Sequence, residues 1–338
     1  MKFGVFDHMD RALVPLGRQY EERLQLIAAY DAAGFHAYHL AEHHATPLGM
    51  SPSPSVFLAA VAQRTKRLRF GPLVYTLSLH HPLRIIEEVC MLDQMSGGRF
   101  ELGVGRGISP HEVRFFGVEP AEAPEIYREA YAVIVQGLTE RRVDFAGKHF
   151  TFHDVPIVME PVQKPHPPLW YGVARPELVD WPARNRFNII TNTTARMARD
   201  ITDRYHREYA AAGNDPGVTP LLGMGRYVIV AENDSDAYEI ARRAYRRWYE
   251  SFILLWDKHG GHPPFANYPP TYEEVAENGY GFAGSPATVR DALLRQVQEA
   301  GINYLVCRFA FGDLSLKESM RSLNLFTREV MPALAWLG

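Results

Sequence analysis

The chain opens with the apolar run Lys2-Phe3-Gly4-Val5-Phe6, passes through the helix-like stretch Tyr20–Ala33 and arrives at His36-Ala37-Tyr38-His39-Leu40-Ala41-Glu42-His43-His44. A strand-length run, an amphipathic helix and a second strand-length run in that order form a βαβ unit with parallel strands. The pattern then repeats. Beyond Lys2–Phe6 and Ala37–Ala41, candidate strands are Leu68–Val74, Phe100–Val104, Leu169–Val173, Phe187–Thr191, Gly225–Val230 and Asn303–Phe309, each beside a helix-like run such as Pro82–Met95. Eight pairs favour an α/β fold closed into a (β/α)8 TIM barrel over an open sheet. A chain of 338 residues with 46% hydrophobic content suits one such domain over 1–338, with insertions.

Two segments interrupt the rhythm. Residues 143–152, Val-Asp-Phe-Ala-Gly-Lys-His-Phe-Thr-Phe, alternate around a glycine turn and read as an inserted hairpin. Residues 257–284 are rich in Gly, Pro, Tyr and Asn and read as a long loop, either a lid over the strand ends or an insertion without a role.

The balance of 36 Lys+Arg against 39 Asp+Glu gives a formal charge of -3, which excludes the electrostatic footprint of a nucleic-acid or membrane-surface binder and suits a small, weakly charged ligand. Cys90 and Cys307 are too few and too far apart for a disulfide framework, as expected in a reducing compartment. The N-terminal apolar run is too short for a signal peptide, and no stretch approaches the ~20 apolar residues of a membrane span, so a soluble, cytoplasmic protein is expected.

The strongest chemical signal is Glu42-His43-His44 at the end of the second strand, where barrel enzymes keep reacting groups. With strand alternation continued, His43 shares a face with His39 and Ala41, while Glu42 and His44 share the other with Tyr38 and Leu40. One histidine then faces the mouth, as a proton carrier near neutral pH or as half of a hydrogen-bonded structural pair. A metal site is a weaker reading, because no His-x-His pair ends the first strand and no cysteine cluster supplies ligands.

Gly103-Val104-Gly105-Arg106-Gly107 ends another strand with a cation at the tip of a glycine-rich turn, which is either a phosphate cradle or a simple bend at the rim. Ile108-Ser109-Pro110 follows instead of an immediate helix, unlike a dinucleotide fingerprint. Ala174-Arg175-Pro176 closes the next strand with a second cation before a helix-like stretch, suited to phosphate or to plain solvation. No nucleophile elbow, Walker loop or activated thiolate is present, so chemistry borrowed from a cofactor becomes attractive.

At these residues the chain resembles bacterial luciferase and its relatives, along nearly its whole length. The matches are Met1-Lys2-Phe3-Gly4, Glu42-His43-His44, His81-Pro82, Leu92-Asp93-Gln94-Met95-Ser96 with Gly98-Arg99-Phe100, Arg106-Gly107 with Phe116-Gly117, Gly284 and Pro286, Ala300-Gly301-Ile302, and the C-terminal Val330-Met331-Pro332. The resemblance implies a flavin-dependent monooxygenase of luciferase type. Reduced FMN from a separate reductase would react with O2 through a C4a-(hydro)peroxyflavin to oxygenate a small organic substrate, aldehyde-like by analogy with a Baeyer–Villiger route. It implies His43 as the catalytic histidine, flanked by Glu42 and His44. It also places Leu73-Val74 where relatives carry a non-prolyl cis peptide beneath the flavin, and Arg106 at the phosphate. The residues expected around the cofactor are thus Leu73, Val74, Gly105, Arg106, Ala174, Arg175, Thr191 and Asn192.

Departures from luciferase are Gly105 in place of a reactive cysteine, Arg175-Pro176 in place of a Glu-Ser pair, and Thr191-Asn192 in place of Ser-Trp. Rival readings are a deazaflavin-dependent oxidoreductase and a non-catalytic flavin-binding subunit. A homodimer is the expected assembly.

Overall fold

The computed structural model describes residues 1–215, 217–218, 220–263 and 268–337. Its strands are β1 (Lys2–Asp7), β2 (Ala37–Leu40), β3 (Arg69–Pro72), β4 (Tyr75–Thr76), β5 (Leu102–Gly105), β6 (Arg142–Ala146), β7 (Thr151–Pro156), β8 (Leu169–Gly172), β9 (Asn188–Thr191), β10 (Leu222–Val230), β11 (Gly281–Gly284) and β12 (Tyr304–Arg308). The parallel sheet runs β3-β2-β1-β12-β10-β9-β8-β5-β4. It closes where Phe70 and Phe100 meet in a parallel bridge, with the Phe70 N–H donating to the Arg99 carbonyl at 3.1 Å and the Glu101 N–H to the Phe70 carbonyl at 2.8 Å. The result is the expected TIM barrel, with β4 continuing β3 along β5 after a cis peptide bond between Leu73 and Val74.

Closure depends on residues without side chains. A Cβ on Gly71 would collide with the Glu101 carbonyl, and one on Gly103 with the Pro72 carbonyl. Below this seam Glu101 is buried against Trp170 Nε1 (2.6 Å) and Arg69 Nε (2.5 Å). Burial alone would raise its carboxyl, but His36, Arg69 and His39 hold it down at about 2. The interior is filled by Trp170, Ile190, Tyr304 and Val306, with His39 bonded to Tyr304 Oη at 2.9 Å. Outside, helices such as Leu16–Ala33, Pro54–Arg64 and Pro82–Ser96 bury apolar faces on the sheet.

Several boundaries differ from those read in the sequence. The second strand stops at Leu40, one residue early. β10 begins at Leu222 rather than Gly225, because its first residues pair with β9 and β12. Antiparallel β6 and β7 form a hairpin over residues 142–156.

The stretch 257–284 is not one loop. Helix Asp234–His259 runs into it and ends where the Gly260 N–H donates to the Trp256 carbonyl at 2.7 Å. Helix Tyr272–Glu277 follows, and then β11 pairs with Tyr227–Val230 of β10 as the tenth strand of the parallel sheet. The described residues without helix or strand there are 260–263, 268–271 and 278–280, while 264–267 lie outside the described residues. Among the described residues, no helix is long and apolar enough to cross a membrane.

The seam makes a simple prediction. Gly71→Ala forces one methyl against backbone that has no rotamer with which to retreat, so it should destabilise the fold by about 1–3 kcal/mol. Thermal unfolding checks this, and an unchanged midpoint would show that the seam gives way.

Candidate active site

After Leu40 the chain leaves the sheet and turns at Ala45, whose φ is 54°, so strict alternation no longer governs side-chain direction. Contacts now decide. Glu42 is buried, and its Oε1 accepts from His44 Nε2 and His80 Nε2, both at 2.8 Å, while Oε2 accepts the Thr76 N–H at 3.0 Å. One carboxylate thereby ties the β2 end to β4 and to the turn beyond it. Burial would raise the Glu42 carboxyl, but hydrogen bonds from His44 and His80 bring it below its usual value. His80 shows the reciprocal effect: burial opposes its charge, and the bond to and charge of Glu42 outweigh burial to raise it.

His43, just beyond the end of β2, keeps 13% of its side chain exposed. Its Nδ1 lies 3.1 Å from Glu112 Oε1, and Glu112 Oε2 accepts the His44 N–H at 2.7 Å. An ionised carboxylate only accepts, which assigns the proton to Nδ1 and leaves Nε2 for chemistry. Glu112 stands in the first turn of helix Pro110–Phe115, capped by Ser109. Ser109-Pro110-His111-Glu112 has the spacing of a capping box, yet this glutamate turns away from its own helix to orient two histidines.

Behind His43 lies His8, stacked at 5.7 Å, with its Nδ1 accepting from Trp248 Nε1 at 3.3 Å. Burial, then the charges of Arg308 and His43, push His8 well below 6.5, so it is neutral at neutral pH.

Across the mouth, β5 delivers Gly105 and Arg106, and neighbouring β8 leads to Ala174 and Arg175. A Cβ at position 105 would come within 2.5 Å of Val74 Cγ2, so packing against Leu73-Val74 accounts for glycine here. Arg106 and Arg175 are exposed, and neither guanidinium has a hydrogen-bond or ion-pair partner among the described residues. Arg106 is near enough to Tyr171 to offset part of the burial that raises the phenol.

Arg175 is followed by the single turn Pro176–Leu178 and the short helix Asp180–Arg184, and after Arg106 the chain runs through Gly107-Ile108-Ser109 before helix Pro110–Phe115, so no helix opens directly on the glycine turn, as read in the sequence. Thr191 is buried and bonds Thr193 Oγ1 at 3.0 Å. Asn192 is tied to Tyr268 and Arg308 by bonds of 3.0 and 3.1 Å.

Sequence reading missed Glu112, His80, His8 and Arg308. For His8 and Arg308 a signal was present, since both stand at strand ends. For Glu112 and His80 it was not, because their role depends on contacts with residues 69 and 38 positions away.

A closed barrel whose histidine, glycine-rich turn and unpaired cations share the C-terminal mouth has the layout of a barrel enzyme. The chain belongs to the luciferase-like monooxygenase family, whose model matches residues 1–304. It is 43% identical over 331 residues to the uncharacterized protein y4wF of Sinorhizobium fredii (strain NBRC 101917 / NGR234), covering 98% of this chain and 96% of that one. It is 25% identical to the oxygenase component of flavin-dependent trigonelline monooxygenase from Acinetobacter baylyi (strain ATCC 33305 / BD413 / ADP1), with 98% and 95% coverage.

Among solved structures, monooxygenase RslO1 from Streptomyces bottropensis superposes with a TM-score of 0.88 at 24% identity, covering 98% of this chain and 99% of that one. The oxygenating constituent of 3,6-diketocamphane monooxygenase from Pseudomonas putida, in complex with FMN, gives 0.83 at 19%, with 98% coverage of each. Coenzyme F420-dependent tetrahydromethanopterin reductase from Methanopyrus kandleri shares the fold more distantly, at 0.70 and 18%, again with 98% of each.

The Glu42 network predicts a pH dependence. The lowered carboxyl contributes stability that is present above its unfolded value of 4.5 and lost as pH falls through its folded value. The raised His80 contributes stability that is present below 6.5 and lost as pH rises through its folded value. Glu42→Gln should therefore cost most between these limits, about 1–3 kcal/mol at pH 6, and less at pH 9. Denaturant unfolding at the two pH values checks the sign, and an equal loss at both would contradict it.

Proposed function

We propose that this chain is a flavin-dependent monooxygenase that takes reduced FMN from a separate reductase and uses O2 to place one oxygen atom on a small organic substrate. The observation that carries the reading is the pairing, at one mouth, of an oriented histidine with two unneutralised guanidinium groups on the adjacent strand ends of β5 and β8. These residues fit a phosphate-bearing cofactor: Arg106 and Arg175 supply charge and reach with no acid paired to them among the described residues, and Gly105 has no side chain to obstruct approach. Bound there, a reduced flavin supplies the electrons that activate O2.

The chain's own residues do the rest. Glu112 fixes the His43 ring, leaving Nε2 as the nitrogen that accepts or returns a proton. Neutral His8 supports the ring from behind without placing a second charge against it. Trp248, Tyr227 and Tyr245 pack into a water-poor wall around this pair. A separate reductase is supported by the relative named as an oxygenase component.

The test is anaerobic titration with reduced FMN, reduced riboflavin and a reduced deazaflavin, followed by oxygen and a panel of aldehydes and ketones under labelled O2. His43→Ala should bind reduced FMN as the parent does and lose about 10²–10⁴-fold in labelled product; undiminished product would remove His43 from the reaction. The double variant Arg106→Ala/Arg175→Ala should weaken reduced FMN about tenfold or more while leaving riboflavin unchanged. Binding of the deazaflavin alone would replace the monooxygenase reading with hydride transfer.

A further inference from the structure

Arg308 ends β12 at the mouth and is 3% exposed. Its Nη2 donates to Asn192 Oδ1 at 3.1 Å and reaches Tyr268 Oη at 3.5 Å, while its Nε is buried with no acceptor. No carboxylate pairs with it among the described residues.

The other buried arginines among the described residues have polar partners: Arg23 lies 3.3 Å from Asp7, and Arg226 is spent on the Gly225 and Thr193 carbonyls and on Gln296 Oε1. Arg308 has instead three aromatic faces, Tyr227 at 4.6 Å, Phe6 at 5.0 Å and Tyr268 at 5.9 Å. Rings attract a cation by about 0.5–2 kcal/mol each, which softens but does not remove the several kcal/mol that an unpaired buried charge costs. The charge also acts on its surroundings: after burial, it is the next influence lowering both His8 and Arg226.

Its position is informative. Around the barrel, β12 is separated from β5 and β8 by β9 and β10, so Arg308 faces Arg106 and Arg175 across the mouth. On its other side β12 pairs with β1, whose end leads into His8, and His43 stacks on that ring. We propose that Arg308 is the substrate-anchoring subsite for the carboxylate of an organic acid whose apolar or aromatic body lies along Tyr268 and Trp248 toward His43. A monoanion matches the one cation available, because Arg226 is already consumed by carbonyls; a phosphate dianion would need a second. The proposal rests on reading the mouth as the reaction site and specifies the substrate class that the site takes.

The test is calorimetric titration of the whole chain, with and without FMN, by benzoate, phenylacetate and hexanoate, each against its own amide. At least one acid should bind about ten- to a hundredfold more tightly than its amide, the difference that a charged hydrogen-bonded pair makes. Arg308→Gln should abolish that preference while leaving reduced FMN affinity unchanged, and Arg308→Lys should restore it in part. Equal binding of acids and amides, no binding of either, or a preference that survives Arg308→Gln overturns the proposal. So does a parallel loss of FMN affinity, which would assign the guanidinium to the flavin. If Arg308→Gln fails to fold, the acid–amide comparison in the parent and Arg308→Lys still decides. Because the readout is binding, acid preference without oxygenated product counts against the monooxygenase reading alone, and oxygenated product without acid preference counts against this proposal alone.

Discussion

The third and fourth barrel strands approach so closely that neither can carry a side chain at the point of contact, and the architecture of the mouth follows from that seam. Gly71 and Gly103 let the backbones meet, the Phe70–Phe100 bridge closes the circle, and the chain just above it passes through Leu73-Val74 to run alongside β5. Val74 then occupies the space in which a side chain at 105 would lie. A crowded closure thus clears a small patch of bare backbone at the rim and leaves Arg106 standing directly beyond it. Packing and site are one constraint here: the residues that shut the barrel also shape the place where a cofactor phosphate would be held.

On the opposite side, two buried carboxylates do the organising. Glu42 gathers His44, His80 and the Thr76 amide, and Glu112 gathers His43 and the His44 amide. Consecutive histidines are consequently held by different acids approaching from different strand ends. This divides their labour. His44 is locked between Glu42 and the edge of Phe116, at 4.5 Å, and belongs to the scaffold. His43 keeps Nε2 without a hydrogen-bond partner among the described residues. A helix-capping glutamate diverted from its own helix to a histidine gives up a local bond for a long-range one, an exchange expected where function outranks local stability.

The barrel was legible because parallel strands buried on both faces leave unmistakable apolar runs between amphipathic helices. Strand β11 was not, since Gly281-Phe282-Ala283-Gly284 has no periodicity of its own and becomes a strand only because β10 extends far enough to offer an edge. The same divide runs through the site. His43 could be found from strand-end position alone, and His8 and Arg308 stand at equivalent ends and were open to the same rule. Arg106 had a physical signal, but its phosphate role came from family resemblance. Glu112 and His80 were hidden for a deeper reason: each works through a hydrogen bond that spans dozens of residues, and no local pattern encodes such a partner.

The distribution of charge over the mouth bears directly on what it accommodates. Among the described residues, cations stand on two sides without an acid partner, Arg106 and Arg175 beyond β5 and β8 and Arg308 at the end of β12, while Glu42 and Glu112 are committed to histidines. His8, between Arg308 and His43, is kept neutral and adds no third centre of charge. A ligand set with anionic groups at both ends and an apolar middle completes such a field, whereas a wholly neutral set would leave the buried guanidinium of Arg308 uncompensated. On the proposed reading, a flavin phosphate at the exposed pair would leave the remaining positive end to the substrate, and the reacting atoms would lie between the two anchors, beside His43.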